Sequence, residues 1–488
     1  MTADISIVGT ITALVLPMLL GGVWVYWLLG RTERWHPALV AGHGYLVGMF
    51  AITLLIRAWD LAGLALNFWG IAAIAAVLTT LGIALIRARP VTARAEGTSG
   101  PIPAWQIALI FALAALLTWR YSTIFQELLL RPLYPWDAWM NWAPKAVVWY
   151  HYSELAPFAD MNTWLAAPAE ALTHIEGARN AWRYPAGVPL IQLWGMLGAG
   201  TSDHTVIYLP WILISLAMGA ALYGHLRLQG ASILLAVTAV YVLLNMPFVN
   251  VHSTLAGYAD LWVAVAFGSA IFSLQEWHAR RDWTYGCLAL VLAVFCAQLK
   301  TPGIIMCGIV GLTMLLGRLQ LRRNTLLGLV TLGGIVSLLV LLVGIDMDVP
   351  AIGRVTINAE KITIPYIGDF EIAFHNVNQA IVRVLFDMIN WNIHWYVLIA
   401  MGTLLAFRPR LATGRETEIT ALVITLAFLF FVYYFTERSE FARDFTQVNR
   451  ALLYSIPVSV LLVFGVLHNG LSGVLARVGA KVGVGEDR

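Results

Sequence analysis

The chain has 488 residues, 60% of them hydrophobic and only 12% charged, with a formal net charge of +3 and a mean hydropathy of +0.76. That balance belongs to polytopic membrane proteins and excludes an ordinary soluble enzyme. A charge this small and dispersed argues against a nucleic-acid partner, and Cys287, Cys296 and Cys307 lie inside apolar segments without C-x-x-C spacing, so neither a disulfide framework nor a cysteine metal site is expected.

The first apolar run, from about residue 5 to 30, follows Asp4 with no Lys or Arg before it, and reads as a retained span rather than a signal peptide. Further runs begin near residues 38, 62, 104, 205, 231, 258, 284, 303, 325, 393, 417 and 451. The expected fold is therefore all-α, a polytopic membrane helical bundle of about 13 transmembrane helices with an outer loop bearing short helices. Short loops carrying Arg31, Arg34, Arg87, Arg89, Arg94, Arg227, Arg280, Arg281, Arg318, Arg322, Arg323, Arg408, Arg410, Arg415, Arg477, Lys481 and Arg488 hold 17 of the 30 Lys and Arg. Placed in the cytoplasm, they put the N-terminus outside. This solution requires the apolar piece 186–199 to dip in or lie flat, because at about 1.5 Å per residue it is too short for a comfortable span.

The outer face then collects 120–185, 250–260, 300–303, 346–391 and 437–450, with most of the 27 Asp and Glu. The expected divisions are 1–103, N-terminal transmembrane helices of unassigned role; 104–468, a membrane-embedded core with the outer loop 120–185; and 469–488, a cytoplasmic tail. A loop as long as 120–185 is uncommon unless functional.

Within that loop, residues 130–150 read LRPLYPWDAWMNWAPKAVVWY. Asp137 is a carboxylate at the membrane surface walled by Trp136, Trp139 and Trp142, costly to desolvate unless it pairs or does chemistry. Interfacial Trp and Tyr belts are common for their own reasons. A belt, however, needs neither Asn141 nor Lys145, which at i+4 and i+8 from Asp137 share one helical face, as far as Pro144 lets the helix run. Arg183 and Tyr184 lead into YPAGVP at 184–189. Glu127, His174 and Glu176 are the weak metal-ligand candidates, since their spacing matches no established pattern. In HSTLAGYAD, His252 and Asp260 sit at the outer end of a span, where Asp260 either caps its helix or takes part in a site. Lys300, at the break QLKTPG, either snorkels or binds phosphate. Arg450 stands at the membrane edge in NRALLYSIP, as an interfacial anchor or as a guanidinium for a lipid-linked phosphate.

Taken together, PWDAWMNWAPKA at 135–146, YPAGVP at 184–189, GYAD at 257–260, QLKTPG at 298–303 and NRALLYSIP at 449–457 resemble the GT-C superfamily of integral-membrane glycosyltransferases of bacterial type. The resemblance covers about 104–468. Three spans precede the helix leading to the acidic loop, where many such enzymes have the acid directly after their first span, and Thr301 and Pro302 follow the lysine where relatives often carry an acid nearby.

The resemblance implies hexosyl or pentosyl transfer from a polyprenyl-phosphate-linked sugar to a lipid, glycan or protein acceptor, with inversion, at the periplasmic face of a bacterial inner membrane. Asp137 would be the general base. Trp136, Trp139, Asn141, Trp142, Lys145, Arg183, Tyr184, His252, Asp260, Lys300 and Arg450 would bind substrate, and involvement of a divalent metal ion is left open. Two alternatives stand beside it. One is a transporter or flippase for a lipid-linked or small polar solute, supported by the break at Lys300-Thr301-Pro302-Gly303 and the short piece 186–199. The other is a non-catalytic partner that presents the outer loop to another subunit.

Overall fold

The computed structural model describes residues 5–32, 34–88, 94–95, 102–168, 170–175, 181–319, 339–340, 342–349, 353–365 and 368–483. The described chain is mostly helical. Helices α1 (Ile7–Leu29), α2 (Pro37–Leu61), α3 (Phe68–Ala88) and α4 (Ala104–Leu130) come first; α5 (Ala143–Tyr152), α6 (Met161–Ala166) and α7 (Gly187–Ala199) belong to the long loop and the short apolar piece. There follow α8 (Pro210–Leu228), α9 (Ile233–Leu244), α10 (Pro247–Thr254), α11 (Asp260–Arg280), α12 (Trp283–Leu299) and α13 (Thr301–Leu319). The chain closes with α14 (Asn378–Val382), α15 (His394–Phe407), α16 (Glu416–Phe435), α17 (Glu440–Arg443), α18 (Val448–Leu453) and α19 (Ile456–Gly483).

Local chemistry sets several of these ends. Ser6, Ser232 and Asp282 cap α1, α9 and α12 by accepting the N–H of Gly9, Leu235 and Thr284 at 3.1, 3.2 and 2.8 Å. Pro37 and Pro210 open their helices, where a missing N–H costs nothing.

Among the described residues, seven helices are long and apolar enough to cross a membrane, or eight if the bent pair α9 and α10 counts as one span. The expectation was about thirteen. Of its twelve described starts, nine fall within two residues of the start of an α-helix; those near 62 and 205 fall six and five residues before α3 and α8, and the run near 451 begins within the short α18 ahead of α19. The difference is one of length and composition: α12, α15 and the apolar part of α19, Ile456–Ser472, are shorter than a full span, and α9 and α10 meet at 61°. α11 is 21 residues long but is not among the seven. The run expected near 325 lies outside the described residues.

The sheet in the loop 346–391 was not expected. Ile345–Val349, Gly353–Ile357, Lys361–Ile364 and Gly368–Glu371, β1 to β4, form a four-stranded antiparallel meander in chain order. Its β-branched residues are ordinary strand signals.

Helix α11 is buried from Asp260 through Trp277 and is the axis of the bundle. It packs against α12, α13, α8, α19 and α16. The first three helices are joined closely to the rest. α1 and α2 touch backbone to backbone at Gly21, Gly44 and Gly48, where a Cβ would overlap the facing chain, as small residues permit in membrane helix pairs. α2 in turn lies on α8. Helix α7 is buried along nearly its whole length between α1, α2 and α5, held by Trp194 Nε1 donating to Ala13 O at 2.9 Å and Ser6 N to Ala199 O at 2.9 Å. A 13-residue helix walled by protein can sit at membrane depth without crossing. Helix α4 buries little beyond Tyr121, Ile124 and Leu128, and exposes Phe111 and Trp119.

Candidate functional site

Asp137 opens a π-helical turn, Ala138–Trp142, that runs into α5, a local widening often found at functional sites. The turn is pinned by Lys145, whose buried ammonium donates to the carbonyls of Ala181, Trp182 and Tyr184 at 3.0, 3.3 and 3.2 Å. Trp142 is buried and stacked on Tyr184, ring centroids 5.1 Å apart. Asn141 donates to Asp137 Oδ1 at 3.2 Å. Arg450 Nη1 donates to Asp137 Oδ2.

Arg450 also approaches Asp260 Oδ2 at 3.7 Å. Asp260 is fully buried, and its Oδ1 accepts from Lys300 Nζ at 2.7 Å and from Tyr454 OH at 2.5 Å. Two carboxylates and two cations thus meet from four separate segments and neutralise one another. Asp137, Arg450 and Lys300 keep 15, 17 and 14% of their side-chain surface exposed, so the cluster can be reached from solvent.

Glycines bring these segments together. Gly257 has φ +83°, and a Cβ there would press on Ala138 Cβ and Gln192 Nε2 at 2.8 and 3.0 Å, so GYAD lies flat on the Asp137 turn. A Cβ on Gly187 would overlap the carbonyl of Gln298, so YPAGVP meets QLKTPG backbone to backbone. Gly303 lies equally close to the Cys296 carbonyl, which allows α13 to start directly after the extended Lys300.

Arg450 lies 5.5 Å over the Tyr258 ring and donates through Nε to Thr446 O at 2.8 Å. His252 is buried against Phe248, ring centroids 4.7 Å apart, and near Tyr258, at 5.9 Å. Burial raises the Tyr184 and Tyr258 phenols above their ordinary pKa, and the Asp137 charge pushes the same way, so both are neutral hydroxyl groups at neutral pH.

Asp137, Asn141, Asp260, Lys300 and Arg450 form the cluster, with Trp142, Tyr184 and His252 around it. Lys145 lies behind it: on the widened turn its ammonium is spent on backbone carbonyls instead of sharing a face with Asp137. Trp136 and Trp139 are 55 and 47% exposed, so of the expected aromatic wall Trp142 is the buried member. Arg183 is exposed and lies over Trp182 at 5.0 Å. Glu127 is engaged with Arg131 at 2.8 Å. His174 packs on Tyr152 and Phe158 at 5.1 and 5.7 Å, and Glu176 lies outside the described residues. No group of three or more His, Cys, Asp or Glu that could hold a metal ion occurs among the described residues.

Two residues outside the expected set join or adjoin the cluster. Tyr454 stands four residues after Arg450, on the same helical face, a spacing that is readable in NRALLY. Arg57, a lone cation in the apolar run of α2, donates to Gln298 Oε1 at 3.1 Å beside the Lys300 break; a charge inside an apolar span is itself a signal.

No protein-family model, curated protein or solved structure matches the chain. What the fold and composition define is a multi-pass, mostly helical membrane protein with a charged cluster at one end of its bundle.

Proposed function

We propose that the chain is a GT-C-type membrane glycosyltransferase that moves a sugar from a polyprenyl-phosphate donor to an acceptor hydroxyl on the outer face of a bacterial inner membrane. The observation that carries this reading is Arg450 shared between Asp137 and Asp260, with Lys300 on the second carboxylate.

An arriving lipid phosphate competes for both cations, and guanidinium is a good partner for it. Once Arg450 turns toward the phosphate, Asp137 loses its counter-ion while Asn141 still holds it in place. It then takes the acceptor hydroxyl proton as the acceptor oxygen bonds to the anomeric carbon. The bond from that carbon to phosphate oxygen breaks, the electron pair leaves with polyprenyl phosphate, and Arg450 and Lys300 stabilise the charge. Attack opposite the leaving group inverts the anomeric configuration, and an anionic leaving group needs no general acid. A divalent cation does not suit this donor set, because each carboxylate already has a cationic side chain against it.

Purified wild type and Asp137→Asn at equal folded amounts are compared for transfer of radiolabelled sugar from a panel of polyprenyl-phosphate donors to membrane extract. Labelling by wild type and near-complete loss in the variant are expected. The transferase reading fails if the whole panel yields no transfer while the protein binds or moves the lipid irrespective of Asp137. That outcome favours the second reading, a transporter or flippase, which draws on the 61° bend between α9 and α10 and on the α12–α13 break.

A further inference from the structure

Beside the segment that carries Arg450 lies a second feature, a polar cleft of about 570 Å³ between the chain at 376–383 and the strap at 443–445. Arg383 and Arg443 both line it, with Asn376 and Asn378 supplying amides. Neither arginine makes an ion pair among the described residues; Arg383 lies over the Phe445 ring at 5.2 Å. Two guanidinium groups facing one cleft with no carboxylate against either are poised for an anion, and guanidinium suits phosphate oxygens through paired N–H groups.

The surroundings indicate which anion. Val382 and Ile389, on either side of Arg383 in the chain, are 51 and 81% exposed, and Ile393 and Tyr396 are exposed at the start of α15. α15 packs against the π-turn Arg383–Asp387. The cationic cleft is therefore carried by elements that also present apolar side chains outward, the arrangement of a headgroup site at a lipid boundary.

The strap links this cleft to the charged cluster. Phe445, a bulky residue held at φ +62°, lines the cleft, and the next residue, Thr446, accepts the hydrogen bond from Arg450 Nε at 2.8 Å. Asn390 donates to Asn449 Oδ1 at 3.1 Å, tying the Arg383 side to α18.

We infer that the Arg383–Arg443 cleft seats the phosphate headgroup of an anionic lipid, and that this lipid is the acceptor of the proposed transfer. Its role as acceptor rests on the proposed transferase activity; the headgroup site does not.

The test places wild type, the Arg383→Gln/Arg443→Gln double variant and Arg354→Gln in phosphatidylcholine nanodiscs doped with phosphatidic acid. Arg354 is an exposed arginine on the sheet, paired with Asp346, and controls for loss of charge elsewhere. Phosphatidic acid retained on the protein is counted by native mass spectrometry, with inorganic phosphate as competitor and a melting scan to establish folding. Wild type and Arg354→Gln are expected to retain the lipid, the double variant about ten- to a hundredfold less, and inorganic phosphate is expected to compete poorly. Equal retention by the double variant overturns the site. Displacement by inorganic phosphate as effective as by lipid also overturns it, making a soluble anion the ligand. Retention is read without any transfer: phosphatidic acid has no free alcohol to accept a sugar, so the donor panel with membrane extract tests the transferase reading separately, and a wild type that retains the lipid while that whole panel yields no transfer sinks the transferase reading and leaves the headgroup site standing.

Discussion

Helix α11 carries a buried charged cluster at each end, and the two are built differently. At its first residue, Asp260 meets Lys300, Tyr454 and, through Arg450, Asp137. Sixteen positions later, about 24 Å along the helix, Glu276 holds Arg280 at 2.8 Å, lies 3.6 Å from His225 Nδ1 and accepts from Gln229 at 3.3 Å. His225 Nε2 faces His43 Nε2 at 2.9 Å, and Arg415 joins Gln229 to Glu418 at 2.5 and 3.2 Å. Here His43, His225, Glu276 and Glu418 are all but completely buried, and each bonds or pairs with another member of the cluster, while His43 Nδ1 and Glu418 Oε2 find no hydrogen-bond partner among the described residues. The Asp260 end has charges of both signs that remain partly open to solvent. Burial of charge alone is therefore a poor guide to function: the closed cluster ties α2, α8, α11 and α16 together, whereas the open one can exchange its internal partners for a ligand's.

Substitutions should separate the two ends. Asp137→Asn is expected to lower sugar transfer by about 10²- to 10⁴-fold with little change in the melting temperature of the detergent-solubilised protein; a large melting shift would make Asp137 structural. Glu276→Ala should do the reverse. It leaves Arg280 and His225 without their shared acceptor, costing about 3 to 5 kcal/mol of stability, while transfer per folded molecule stays unchanged. Loss of transfer from fully folded Glu276→Ala would show that the closed cluster also acts in the reaction. Tyr454→Phe removes one donor to a buried carboxylate whose Lys300 contact persists, a loss of about 1.5 to 3 kcal/mol in thermal or denaturant unfolding. Trp136→Ala, at an exposed ring outside the cluster, should change stability by no more than about 0.5 kcal/mol and leave transfer intact; a marked fall in transfer would restore Trp136 to the substrate wall.

Much of the charged cluster was legible in the chain because its members stand out locally. Asp137, Asp260, Lys300 and Arg450 are charges at the margins of apolar runs, and hydropathy together with the Lys and Arg of the short loops, with 186–199 taken not to cross, puts their segments on one face. Arg57, a cation inside an apolar run, and Tyr454, four residues after Arg450, carry different signals. The closed cluster was not legible as a cluster: Glu276 and Arg280 are one turn apart, but His43 and Arg415 come from distant helices, and no local pattern joins them. Lys145 shows the limit of periodicity. Its spacing from Asp137 suggested a shared face, yet the π-turn changes the rotation between them and a buried ammonium takes whatever carbonyls surround it. The strands between 345 and 371 carry β-branched residues in plain sequence, but their signal is short and set among strongly helical runs.

Membrane class, the positions of most helices and the chemical types available at their ends follow from the order of residues, since hydropathy and helix length depend on neighbours in the chain. Which charges pair was settled by packing. Gly187 against Gln298, Gly257 against the Asp137 turn and Gly303 against Cys296 set separations between segments remote in sequence. A salt bridge depends on angstroms of separation and on helix rotation, quantities that exist only once the helices are in contact.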